Sequence, residues 1–287
     1  MSSSAGQPLF LENSSRRFFA VEYIANTDVD LKGAVLHLPA FGEEMNKSRA
    51  MVATQARLLA ELGYHVLVPD YYGTGDSEGD LSDASWSCWL EDMQFCLRHL
   101  QKNFTGPTFL WGLRLGALMA IELASKSDLD VSRLLLWNPV LAGEQYMLQF
   151  LRLRLANSMM SSGAKEKVSD LKQLLEQDGV LEVSGYELSK ALFTEISARK
   201  ASQFKLSSIK HIYWAEVTAT SKPLTIPAQQ LIDNWHTQGL SVVTENIVGS
   251  QFWATQEISQ SQQLIEASTQ WLSQTAAFSN TSGTGTT

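Results

Sequence analysis

The sequence predicts an α/β protein with a mostly parallel, twisted sheet and helices on both of its faces. Three observations carry this. Short runs rich in β-branched, aromatic and aliphatic residues recur along the chain and alternate with longer segments that are apolar at 3.6-residue spacing. The short runs are almost continuously apolar rather than alternating, as strands covered on both faces require. The composition, 44% hydrophobic and 18% charged over 287 residues, suits a globular chain long enough to bury a large core.

In chain order, Ala34–Leu38 (AVLHL) reads as the first of these strands and Ser48–Leu62 as an amphipathic helix ended by Gly63. His65–Pro69 is the next strand, and Ala84–Leu100 a helix with Trp86, Trp89 and Met93 on one side. Thr108–Trp111 and Leu134–Trp137 follow as strands. Between Pro139 and His211 the alternation stops, and helical segments dominate from YMLQFLRLRLANSMM to SGYELSKALFTEISARK. Leu141–Leu206 is therefore read as a helical cap inserted into the core. Ile212–Ala215 and Ser241–Val248 return to strand, flanked by helices over Leu224–His236 and Ile258–Leu272. The expected division is 1–140 and 207–275 for the two parts of the core, 141–206 for the cap, and 276–287 for a disordered Ser/Thr/Gly tail.

Composition excludes several classes of function. A net charge of −8 gives no pull toward nucleic acid or anionic lipid. Cys88 and Cys96 fall on one helix about 12 Å apart, beyond disulfide reach, and read as reduced thiols. The N-terminus lacks the basic and apolar regions of a secretion signal, and no stretch of about 18 apolar residues occurs. A cytoplasmic protein without a membrane span is expected. No cofactor is expected either: Gly73-Thr74-Gly75 has the wrong spacing to Gly79 for a dinucleotide loop, and Asp76 and Glu78 would repel a pyrophosphate. No pair of histidines has metal-ligand spacing, so no metal is expected.

The stretch LWGLRLGALMA runs from an apolar strand through Gly112-Leu113-Arg114-Leu115-Gly116 into a small-residue helix. This is the layout of the strand-turn-helix elbow that presents a nucleophile in α/β-hydrolases. With AVLHLPAFGEEMNKSR, where that superfamily has a strand and an oxyanion loop, and VLVPDYYGTGDSEG, which matches a strand followed by D-x-x-G-x-G-x-S-x-G, the chain resembles α/β-hydrolases over nearly its whole length. The resemblance implies the α/β-hydrolase fold with its cap inserted after strand 6. More narrowly, LPAFGEEMNKSR, DYYGTGDSEGD, WGLRLGA and LLLWNPVLAGEQYMLQFLRLR resemble the exosortase A system-associated hydrolase 2 family. That resemblance implies a bacterial setting beside PEP-CTERM sorting and exopolysaccharide genes.

Set against the superfamily's triad, the nucleophile position holds Arg114, whose guanidinium stays protonated and has no lone pair to offer. The His position after the last strand falls on Gln251, or on Phe252 with a one-residue shift, and neither takes a proton from a hydroxyl. The acid position offers Glu216. Two other residues are candidates for displaced chemistry: Ser77, flanked by Asp76 and Glu78, as a nucleophile, and His37 as a base, although a loop-supporting Ser and a core His are the plainer readings.

An elbow puts its middle residue at a helix start, which disfavours a cation by roughly 0.3 to 1 kcal/mol. Arg114 therefore calls for an anion: internally Glu43 or Glu44 from the loop after the neighbouring strand, or externally a ligand carboxylate or phosphate. Ala40, Phe41, Glu43, Glu44, Arg114, Leu115, Trp214 and Trp253 are the expected ligand-lining residues. Two functions follow. One is a protein that has lost the Ser-His-Asp triad and binds an anionic, acyl or glycan small molecule, or a partner protein of the exosortase pathway. The other is an active ester or thioester hydrolase with a non-standard arrangement.

Overall fold

A computed structural model describes residues 5–13, 16–126, 128–161 and 166–277. Two N-terminal strands, β1 (Gln7–Asn13) and β2 (Arg16–Tyr23), pair antiparallel, and β2 pairs antiparallel with β4 (Tyr64–Pro69). From there the sheet is parallel: β4 lies beside β3 (Gly33–Leu38), then β5 (Thr108–Leu113), β6 (Arg133–Trp137), β9 (His211–Thr218) and β10 (Ser241–Val248). β3, β5 and β6 are buried at every position, which is why their sequences carry no polar alternation.

Helices cover both faces. One core cluster joins the sheet to α2 (Trp86–Asn103), α3 (Leu115–Ala124) and α7 (Ile226–Thr237); the other joins it to α1 (Glu43–Glu61) and α8 (Gln262–Ala277). α3 has no polar face and every residue in it is buried, as its small and aliphatic sequence demands. Trp86, Trp89 and Met93 sit on the buried side of α2. Both cysteines are free thiols, and burial pushes the Cys88 thiol up to about 11.

The insertion between β6 and β9 contains α4 (Gly143–Ser161), α5 (Val168–Asp178) and α6 (Lys190–Ser197), and also a two-stranded hairpin, β7 (Val180–Val183) with β8 (Tyr186–Ser189). The hairpin corrects the all-helical reading of this segment. Gly179 adopts φ 77° and stops α5, and Ser184-Gly185, both at positive φ, make the two-residue turn that a tight hairpin favours. The entry and exit of the insertion are stitched together: Gly143 donates to the Arg199 carbonyl at 2.8 Å and Ala201 to the Leu141 carbonyl at 2.9 Å. Cap leucines 171, 175, 181, 188 and 192 are continuous with the main core. α8 starts at Gln262 rather than Ile258, which is 74% exposed, and runs to Ala277. The remainder of the expected tail, residues 278–287, lies outside the described residues.

Candidate functional site

β5 ends at Leu113 and α3 begins at Leu115, which leaves Arg114 between them at φ 55° and ψ −116°. Such a conformation costs a non-glycine residue about 1–3 kcal/mol and persists only where its surroundings enforce it. Two glycines do so. A Cβ on Gly112 would come within 2.4 Å of the Ala117 Cα, and one on Gly116 within 2.1 Å of the Leu38 carbonyl oxygen, so α3 seats against β5 and β3 only with glycine at both places. The Arg114 N–H donates to the Trp137 carbonyl at 3.0 Å, and its own carbonyl accepts from the Val140 and Ala117 N–H groups at 3.1 Å. The elbow backbone is intact and presents a guanidinium.

That guanidinium is held on three sides. Nε donates to Glu44 Oε1 at 3.1 Å, and Nη1 donates to the Asn138 carbonyl at 3.3 Å. The charge also lies 5.5 Å from the Trp253 ring centre and 5.9 Å from that of Tyr146. The second Glu44 oxygen accepts from the Tyr146 hydroxyl at 3.0 Å. Burial first, and then the Glu44 charge, raise Tyr146 well above the ordinary phenol range, so it is a neutral donor. Glu43 turns away to accept from the Tyr186 hydroxyl at 3.2 Å. Both carboxylates belong to the first turn of α1, not to the preceding loop, and a helix start favours negative charge there. Nη2 of Arg114 has no partner among the described residues.

Arg114, Glu216 and Gln251 line one cavity of about 820 Å³ between the core and the base of the cap. The three residues expected at the superfamily's triad positions therefore share one cavity wall. Trp214 Nε1 donates to Glu216 Oε1 at 3.1 Å, and Gln251 Nε2 donates to the Val217 carbonyl at 3.4 Å. Phe252, the shifted alternative for the His position, is buried against Trp137 and Trp253. The rest of the wall mixes polar side chains, Asn138, Gln145, Lys200 and Ser202 among them, with apolar ones such as Leu141, Pro227 and Leu231. None of the five histidines of the chain lines it.

Other expected residues lie elsewhere. The Ser77 hydroxyl accepts from the Phe19 N–H at 2.9 Å and donates to the Asp70 carbonyl at 2.9 Å, tying the acidic loop to β2, so neither its proton nor its lone pair is aimed at a substrate. His37 is buried beside Trp111, with ring centres 4.3 Å apart; burial pushes its imidazole down to about 3, which leaves it neutral and a poor base. Trp214 is fully buried and does not line the cavity of Arg114; it supports Glu216 from below, since residues two apart on a strand share a face. Trp253, Ala40 and Leu115 are likewise buried and outside the polar cavity, and Phe41 faces a second cavity with Glu43 and Glu44.

Sequence reasoning missed Asn138, Tyr146 and Lys200. Asn138 adopts φ 44° and clips β6 to β9, accepting from the Val217 N–H at 2.9 Å while its carbonyl meets Arg114. An Asn before Pro139 at a strand end is a visible turn signal. Tyr146 and Lys200 come from the cap, and no local pattern marks them.

No group of His, Cys, Asp and Glu able to hold a metal ion occurs among the described residues, and no helix among them is long and apolar enough to cross a membrane.

A parallel sheet of this strand order, with an elbow between the central strand and its helix, defines an α/β hydrolase. Residues 29–201 match the family model described as serine aminopeptidase, S33, and the chain belongs to that family. Similar solved structures include Est1E from Butyrivibrio proteoclasticus, at 13% identity over 95% of this chain and 100% of that one with a TM-score of 0.66. A soluble variant of monoglyceride lipase from Saccharomyces cerevisiae has 13% identity, 95% and 96% coverage and a TM-score of 0.64. Alpha/beta hydrolase domain-containing protein 10 from mouse has 14% identity, 96% and 99% coverage and a TM-score of 0.56. At these identities the likeness establishes the fold. No curated protein matches the sequence.

Proposed function

We propose that this chain is a member of the S33 family that does not run the Ser-His-Asp reaction and instead binds a small anionic, hydroxyl-bearing molecule between core and cap. The observation that carries this reading is the convergence of Arg114, Glu216 and Gln251 on one cavity that no histidine lines: Arg114 and Gln251 supply neither a nucleophile nor a general base, and Glu216 has no imidazole there to orient. Arg114 offers a guanidinium with Nη2 unspent, and Lys200 adds a second cation across the wall. Amide and hydroxyl side chains around them suit a ligand rich in hydroxyls, and the volume lies in the range of small-molecule sites, roughly 300–1,000 Å³. The resemblance to the exosortase A system-associated family fits such a ligand, a glycan acid of an exopolysaccharide system, and a cytoplasmic location.

Calorimetric titration with glucuronate and with glucose tests the reading. Glucuronate is expected to bind more tightly, and Arg114→Gln is expected to remove the difference. Equal affinity for the two sugars, or a preference that survives Arg114→Gln, would overturn it. A working ester or thioester hydrolase is the second reading, favoured by the monoglyceride lipase among the similar structures.

A further inference from the structure

A second cavity, of about 510 Å³, opens on the opposite side of the Glu44–Tyr146 contact, between the start of α1, one face of α4 and the cap hairpin. Its chemistry is the reverse of the first. Phe41, Phe150 and Tyr186 form a triangle of rings with centres 5.0, 6.4 and 6.2 Å apart, and Tyr146 lies one turn of α4 from Phe150. Glu43 and Glu44 stand on its wall, and among the described residues no Lys, Arg or His does. Arg114 lies behind Glu44 and neutralises part of its charge, and the start of α1 contributes a partial positive charge. Among the described residues no cation pairs with Glu43: its Oε2 accepts from the Tyr186 hydroxyl. An anion entering here meets two carboxylates and an aromatic wall, whereas a cation with an apolar shell is attracted by the carboxylates and packs against the rings.

We propose that this cavity takes a quaternary or alkylammonium group, held by the faces of Phe41, Phe150 and Tyr186 and by the Glu43 charge. No residue lines both cavities, so the two proposals are tested separately although the Arg114–Glu44 pair lies between them. Choline and its neutral isostere 3,3-dimethyl-1-butanol separate charge recognition from simple apolar burial. In ligand-observed NMR titrations of the full chain, choline is expected to bind about tenfold more tightly than the alcohol, the size of effect that a desolvated cation–ring contact gives. Glu43→Gln, an exposed change that leaves the core untouched, is expected to weaken choline and leave the alcohol alone. Tyr186→Leu should weaken choline while Tyr186→Phe, which keeps the ring, should largely retain it. Equal affinity for choline and the alcohol, no binding of choline to the folded chain, or choline binding unchanged by both Glu43→Gln and Tyr186→Leu would overturn the proposal.

Discussion

Removing either end of the Arg114–Glu44 pair should cost more than removing both would suggest. The two side chains are 21% and 22% exposed, so the pair is neither a free surface contact nor a fully buried one. With charge centres about 4 Å apart and an effective dielectric near 20, the gross attraction is about 4 kcal/mol. Lost hydration takes back about half, leaving a coupling of about 2 kcal/mol. Glu44→Gln strands the guanidinium at a helix start that disfavours it, with only the Asn138 carbonyl and two ring faces for company, and is expected to cost about 2 kcal/mol. Arg114→Met leaves Glu44 with the Tyr146 hydroxyl and the favourable end of α1, and should cost about 1 kcal/mol. The double variant should cost less than the sum by the coupling. Urea unfolding of the four proteins measures this. Single effects that add to within about 0.5 kcal/mol would refute the idea that the pair organises the elbow.

Acid stability should depend on His37. Burial holds its imidazole near 3, against 6.5 when unfolded, so below pH 6.5 the unfolded chain takes up a proton that the native chain refuses. Stability then falls as the pH drops toward 3, by at most about 1.4 kcal/mol per unit from this group. His65 is lowered by burial too and adds its own slope; the difference between wild type and His37→Gln in urea midpoints at pH 7 and pH 5 isolates His37, and identical pH dependence would contradict the assignment. Gly116→Ala should destabilise by about 3 kcal/mol or more, because its new methyl would meet the Leu38 and Pro39 carbonyl oxygens at 2.1 and 2.4 Å. Gly179→Ala meets nothing within 4 Å and should cost only the positive-φ penalty, about 1 kcal/mol; equal losses in thermal unfolding would show that close approach is not what the elbow glycine provides.

The central strands were legible because burial on both faces writes an unbroken apolar run, as in AVLHL and LLLW. The hairpin of β1 and β2 is harder to see, since RRFFAVEY mixes charges into a half-exposed strand. VLEVSGYELS was absorbed into a helical reading because its leucines also suit helical spacing, and only the Ser184-Gly185 turn distinguishes it. In the site, the elbow glycines and strand ends single out Arg114, Glu216 and Gln251, which line one cavity. Trp214 was misplaced because a strand residue directly beneath a cavity residue shares its face without reaching the surface. Tyr146 was illegible for a different reason: it meets Glu44 across 102 residues, a contact set by cap docking and not by any local pattern.

The proposed loss of triad chemistry is open to one direct measurement. Purified protein treated with a fluorophosphonate and weighed intact is expected to show no covalent adduct, and to cleave short p-nitrophenyl esters no faster than the heat-denatured sample. A stoichiometric adduct on a single serine, lost together with ester cleavage when that serine is changed to alanine, would contradict the account and make the chain a working hydrolase.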